Sequence, residues 1–109
     1  NQAMADLRIP ILLSIPAARR WVSIEPMLGP VDLDKTCGSA YPGQCWRSDI
    51  DFVALGGETG PGARPMDPEW ARDVLRQCRE AGVPYFFKQM GSAWNGETPP
   101  DLMVRELPK

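Results

Sequence analysis

The apolar positions of this chain change period along its length, and each change marks an element. From Gln2 to Ile15, Ala5, Ile9, Leu12 and Leu13 recur at helical spacing with Met4 and Ile11 beside them, which predicts a helix. Pro10 lies inside that run and lacks the N–H an interior helical residue donates, so a kink or two short helices meeting there is expected. Pro16 closes the segment, and Ala17 to Arg20 form a connector whose basic side chains suit a helix C-terminus. Trp21 to Glu25 switches to β-branched and aromatic residues and reads as a strand. Pro26 cannot donate to a ladder, which leaves Glu25 at the strand's C-terminal end.

Phe52 to Gly57 is the second predicted strand, and it breaks into the glycine-rich loop Gly56-Gly57-Glu58-Thr59-Gly60-Pro61-Gly62. Asp67 then caps a helix with Pro68 at its first position. Trp70, Ala71, Val74, Leu75, Cys78 and Ala81 form its apolar stripe, and Gly82 supplies a left-handed cap. Val83 to Gln89 is the third strand; its unbroken Tyr85-Phe86-Phe87 run suits a parallel sheet covered on both faces. Gly29 to Asp51 keeps no period and reads as a loop long enough to be functional, mobile or inserted. Ser92 to Lys109 is a tail, expected to form one helical turn or to pack loosely. The fold class that follows is α/β: a single domain over residues 1–109, with three mainly parallel strands and flanking helices. A right-handed crossover joins the second strand to the third.

Composition narrows the function classes. A net charge of −2 and a pI near 5.0 give no electrostatic reason to expect nucleic acid. No apolar run approaches the roughly 20 residues of a membrane helix, and no signal peptide is visible, so a cytoplasmic protein is expected. The chain has no histidine, which removes the usual general base and the commonest metal ligand. It opens without Met in what reads as mid-helix, which suggests a piece of a longer protein. Cys78 falls on a helix's apolar face and reads as a core residue. Cys37 and Cys45 bracket a Gly/Pro-containing loop; an unpaired loop pair is the leading reading, with a disulfide or a shared metal as the alternatives.

In a parallel sheet the strand C-terminal ends gather on one side, where ligands bind. That side receives Glu25, Glu58, Lys88 and Gln89, each where its strand runs out, with Arg64 in the loop after Glu58. One reading is a ligand site. Glu25 and Glu58 would accept hydrogen bonds from an ammonium or from ribose hydroxyls, and Lys88 and Arg64 would hold a carboxylate or phosphate. The Gly56 and Gly57 backbone would allow close approach. The other reading is an internal ion-pair network closing the end of the sheet; polar residues at three successive strand ends favour the first. Gly60-Pro61-Gly62 matches neither nucleotide fingerprint. Without histidine, Ser23 and Ser92 belong to no Ser-His-Asp triad within this chain. Glu25 and Glu58 suit glycosidase-type acid/base work, but nothing in the sequence sets their separation. Trp70 reads as core, and Trp46 and Trp94 as lining a cleft or an interface; the four tryptophans are too scattered for a stacking platform.

The succession VSIEPMLGPVDL and then DFVALGGETGPGARPMDPEWARDVLRQCREAGVPYFFKQMG resembles the C-terminal half of a family of phage and prophage proteins of unknown function. Those proteins are similar to radical S-adenosylmethionine enzymes. The resemblance covers roughly residues 1–91 and is most specific at Gly56 to Pro65 and Pro84 to Gly91; the tail is residues 92–109. It implies the last third to half of a partial (β/α) barrel that supplies substrate-side residues and is inert alone. S-adenosylmethionine and an iron–sulfur cluster are implied for the full-length protein, the cluster held by cysteines upstream of Asn1. Cys37, Cys45 and Cys78 do not reproduce that spacing, so no cofactor or metal is assigned within these residues. Gly56-Gly57-Glu58 resembles the Gly-Gly-Glu that contacts the methionyl amine in such enzymes, although it follows a later strand. The implied partners are the missing N-terminal part of the same chain and a second copy, through exposed edges, with no membrane. The competing expectation is a non-catalytic phage binding or assembly module.

Overall fold

The computed structural model describes residues 1–14, 19–37, 43 and 45–108. In order these are helix α1 (Gln2–Ser14), strand β1 (Trp21–Ile24), a 3-10 turn (Leu33–Thr36), helix α2 (Trp46–Asp49), strand β2 (Phe52–Leu55), helix α3 (Pro68–Ala81), strand β3 (Tyr85–Phe87) and a second 3-10 turn (Pro100–Leu102). The architecture is mixed α/β, with the strands in one open sheet of order β1-β2-β3, parallel throughout. All three strands stand where the sequence pattern puts them, though shorter. Backbone pairing nevertheless continues past their ends. Gly56 N–H donates to Ile24 O at 3.0 Å, Lys88 N–H to Leu55 O at 2.8 Å, and Gly57 N–H to Gln89 O at 2.9 Å. The Glu25–Pro26 peptide is cis.

Two-residue alternation gives the sheet two unlike faces. Val53, Leu55, Tyr85 and Phe87 point to the helices and are fully buried, with Val22 and Ile24 half-buried beside them. Ala71, Val74 and Cys78 of α3 and Ile9 and Leu13 of α1 complete this core. The capping that the sequence predicts for α3 is present. Asp67 Oδ1 accepts from Glu69 N–H at 2.9 Å, Pro68 takes the first turn, and Gly82 ends the helix at φ 71°. Its stripe differs in detail. Trp70 and Leu75 lie half-buried at the margin, while the polar Gln77 is 4% exposed. Gln77 is buried because its amide is matched: Oε1 accepts from Leu33 N–H at 2.7 Å and Nε2 donates to Val31 O at 2.7 Å.

Helix α1 runs through Pro10 as one element, where two short helices were one expectation. A proline removes one interior bond, and burial of the surrounding Ile9, Pro10 and Leu13 offsets that loss. The other side of α1 exposes Met4, Leu7 and Ile11. Pro16 and the start of the connector lie outside the described residues. Within those residues, no helix is long and apolar enough to cross a membrane.

The described residues between Gly29 and Asp51 correct the loop expectation with two short elements, Leu33–Thr36 and Trp46–Asp49. Val31, Leu33, Thr36, Trp46 and Ile50 are all buried. Asp32 caps the 3-10 turn, accepting from Asp34 N–H at 3.0 Å, and Thr36 Oγ1 donates back to Leu33 O at 2.6 Å. Trp46 is fully buried core, not a cleft residue, and its indole N–H donates to Asp34 Oδ1 at 2.8 Å. Arg47 joins the same carboxylate, which pins α2 against the turn. That docking brings the flanking Cys37 and Cys45 together as a disulfide with Cα atoms 4.1 Å apart, correcting the unpaired reading. Residues 38–42 and 44 lie outside the described residues.

The tail is ordered by β3. Phe87 N–H donates to Val104 O at 2.8 Å and Glu106 N–H to Tyr85 O at 2.9 Å, so residues around Arg105 pair antiparallel with the strand's outer edge. Leu102 is buried beneath this pairing. Among the described residues, β1 pairs with β2 alone.

Candidate functional site

The second face of the sheet is open. Register places Trp21, Ser23 and Glu25 of the first strand on it, then Phe52, Ala54 and Gly56, then Phe86 and Lys88. Three rings run across one end: Trp21 and Phe52 have centroids 5.5 Å apart in an edge arrangement, and Phe52 and Phe86 have centroids 6.3 Å apart. Trp21 is 57% exposed and Phe86 half-buried, so among the described residues the expected cover on both faces is absent here.

The strand C-terminal ends carry the charge. Lys88 Nζ lies 2.6 Å from Glu25 Oε2 and donates to Ser23 Oγ at 3.3 Å. Gln89 Nε2 donates to Glu25 Oε1 at 3.1 Å and to Gly57 O at 2.9 Å. The Lys88 hydrogen bond lowers the Glu25 carboxyl pKa, against a smaller opposing push from desolvation. Glu58 and Arg64 form a separate pair inside the glycine-rich loop. Glu58 Oε1 accepts from the Arg64 backbone at 2.9 Å and from its Nε at 3.1 Å, and Oε2 lies 2.6 Å from the guanidinium. Arg64 thereby holds the Glu58 carboxyl at about 2. The five charged or amide side chains picked out from sequence thus resolve into two sets, Glu25-Lys88-Gln89 and Glu58-Arg64. No ion pair joins the sets among the described residues.

The glycines between these sets sit where the chain meets itself. A Cβ on Gly56 would lie 2.7 Å from Gln89 Nε2, and one on Gly57 would lie 2.0 Å from Met90 O. Gly91, at φ 97°, faces Glu58 O in the same way, at 2.6 Å from its would-be Cβ. The segments after β2 and β3 are therefore in backbone contact, reinforced by Ser92 N–H to Glu58 O at 2.9 Å and Gly60 N–H to Ser92 Oγ at 2.8 Å.

Sequence reasoning weighed Ser23 only as a hydrolase nucleophile, and passed over the aromatic row and Arg105. Alternation with Glu25 on one strand would have placed Trp21 and Ser23 on its face. Arg105 carries no local signal, because only the tail's pairing with β3 brings it to the rim. Its Nε donates to Phe87 O at 3.0 Å, a terminal N–H donates to Lys88 O at 2.7 Å, and its guanidinium carbon lies 5.4 Å from the Phe86 ring centroid.

The donor set does not fit an iron–sulfur cluster. Cys37 and Cys45 are bonded to each other, and burial pushes the Cys78 thiol up to about 12. Among the described residues, no three His, Cys, Asp or Glu side chains gather around a common point. Gly56-Gly57-Glu58 likewise has its polar groups engaged: Glu58 by Arg64, and Gly57 O by Gln89. A cavity of about 260 Å³ lies at the β1 edge under α1, with Met4, Arg8, Ile9, Val22, Ile24 and Glu25 among its walls.

Comparison with curated proteins finds no match, and neither does comparison with solved structures. The model of one family, described as a protein of unknown function (DUF5131), matches residues 1–106 and so takes in the tail that forms the β3 rim, and the chain belongs to that family.

Proposed function

We propose that this chain supplies the substrate-facing wall of a radical S-adenosylmethionine-like partial (β/α)-barrel enzyme of phage or prophage origin, as part of a longer polypeptide. The observation that carries the reading is the open sheet face, where an aromatic row leads to Ser23, Glu25, Lys88 and Gln89 at the ends of parallel strands. Magnitude favours a ligand surface over a structural network. The Glu25 and Lys88 side chains are each about one-third exposed, at 34% and 35%, and an exposed pair contributes only about 0–1 kcal/mol. A ligand carboxylate or phosphate exchanges onto Lys88 at little cost, while Glu25 accepts from an amine or hydroxyl. The residues bind and orient.

The test uses the full-length protein, reconstituted anaerobically with iron and sulfide and then given S-adenosylmethionine and dithionite as the one-electron reductant. The reading expects iron–sulfur charge-transfer absorption and release of 5′-deoxyadenosine; failure of both overturns it. A second reading, a non-catalytic binding or assembly module, is favoured by one observation: both Glu25 and Glu58 already have partners within the chain. It expects Glu58→Ala or Lys88→Ala to change stability or partner binding with no effect on small-molecule affinity.

A further inference from the structure

Arg47, Arg64, Arg72, Arg76 and Arg79 each face a carboxylate. Arg105 does not. Two backbone carbonyls and the Phe86 ring hold its guanidinium in one orientation, yet no carboxylate pairs with it among the described residues. A guanidinium has five N–H donors, and those carbonyls occupy two. The remaining donors sit at the rim of the open face, where Arg105 bonds the carbonyl of Lys88, a second cation. A tail latch alone does not need this arrangement. The bonds Phe87 N–H to Val104 O and Glu106 N–H to Tyr85 O already fasten the tail on either side.

We infer that Arg105 is the anion seat of the open face, and that the ligand taken there joins a carboxylate or phosphate to an aromatic ring packed against the Trp21–Phe52–Phe86 row, whose own rings stand at 62° and 57° to one another. The inference rests on the reading of that face as a ligand wall and gives it a substrate class. The ring follows from the exposed Trp21 and from Ala54, whose small side chain leaves low ground between Ser23 and Phe86. The anion follows from a pre-oriented, uncompensated fork, the geometry that matches carboxylate and phosphate oxygens.

The experiment titrates the protein with benzoate, phenyl phosphate and the neutral benzyl alcohol, following the Arg105 Nε–H, Trp21 indole N–H and Ser23 amide signals by NMR. At least one anionic probe should bind about tenfold tighter than benzyl alcohol, the size of one charge-assisted contact. The stronger of the two anions identifies the ligand's charged group. Arg105→Gln should remove that preference while Phe87 and Glu106 keep their amide protection. If Arg105→Gln instead releases the tail, Arg105→Lys decides, since it keeps the charge and must keep part of the preference. Equal affinities for all three probes, or a preference unchanged in Arg105→Gln, overturns the seat. Probes that move Trp21 and Ser23 signals without favouring an anion overturn the seat alone. Probes that move none of these signals overturn the ligand wall with it.

Discussion

Gly57→Ala isolates the backbone contact on which the site's geometry depends. Gly57 has no positive φ, so alanine fits its backbone conformation and the whole cost is steric. The added Cβ would lie 2.0 Å from Met90 O, 2.7 Å from the Met90 carbonyl carbon and 3.2 Å from Gly91 Cα. These are backbone atoms that no rotamer change removes. The segments after β2 and β3 must part, which breaks or lengthens Gly57 N–H to Gln89 O and Ser92 N–H to Glu58 O, both 2.9 Å. Overpacking costs about 1–3 kcal/mol and each lost hydrogen bond about 1 kcal/mol, giving an expected destabilisation of about 3–5 kcal/mol. Gly60→Ala is the control. Its φ of 95° disfavours alanine, but nothing lies within 4 Å of the new Cβ, so only a conformational cost of about 1–2 kcal/mol applies. Urea unfolding followed by tryptophan fluorescence reads both as shifts in midpoint at constant slope. A Gly57→Ala loss under about 1 kcal/mol, or one smaller than that of Gly60→Ala, would refute the claim that the glycine serves this chain-to-chain contact.

Three further outcomes are expected. Because Arg64 depresses the Glu58 pKa to about 2 from 4.5, the stability this pair contributes is present above pH 4.5 and fades as pH falls through about 2. An NMR titration should show that midpoint, and Arg64→Ala, which removes the guanidinium but keeps the backbone N–H that donates to Glu58 Oε1, should raise it part of the way towards 4.5; a midpoint indifferent to Arg64 contradicts the pairing. Gln77→Leu orphans the buried Leu33 N–H and Val31 C=O and should cost about 2–4 kcal/mol in chemical unfolding, whereas a loss below about 1 kcal/mol would show that the side chain is dispensable. Reducing the Cys37–Cys45 bond, with its sequence separation of 8, should cost about 2–3 kcal/mol by loop entropy and lower the melting temperature, and an unchanged melting temperature on adding reductant would contradict this.

What was legible in the sequence was whatever depends on near neighbours. Asp67, Pro68 and Gly82 set the ends of α3 through bonds that span only a few residues, and those ends lie where the pattern puts them. Strand positions were legible because β-branched and aromatic runs with proline and glycine stops are also local. The described residues between Gly29 and Asp51 were not, because their order comes from partners far along the chain. Gln77 holds Leu33 across 44 residues and Val31 across 46, and Trp46 meets Asp34 only once α2 is docked. A polar residue in a helix reads as solvent-facing unless the carbonyl it will satisfy is already known. Trp70 failed in the opposite direction: its apolar side chain suits the stripe, but its place near the helix start leaves it at the margin of the core.

The site shows the same division at closer range. That Glu25, Lys88 and Gln89 share one end of the sheet follows from strand direction alone, which residue patterns supply. That Glu25 and Lys88 touch does not follow, because they belong to strands separated by β2, and flanking strands lie about 9.5 Å apart. The contact exists because Gly56 stands between them in the register and has no side chain to hold them apart; Gln89 lies over the same gap. Glu58 takes the other course. Its partner Arg64 is six residues away in the same loop, so the pair closes within the loop and leaves the open face to Glu25, Lys88, Ser23 and the rings. The glycine-rich loop therefore also acts in the fold as a spacer and a clamp. The proposed ligand wall draws its side chains from the strands that the loop separates and from a tail residue, Arg105, that no local pattern marks.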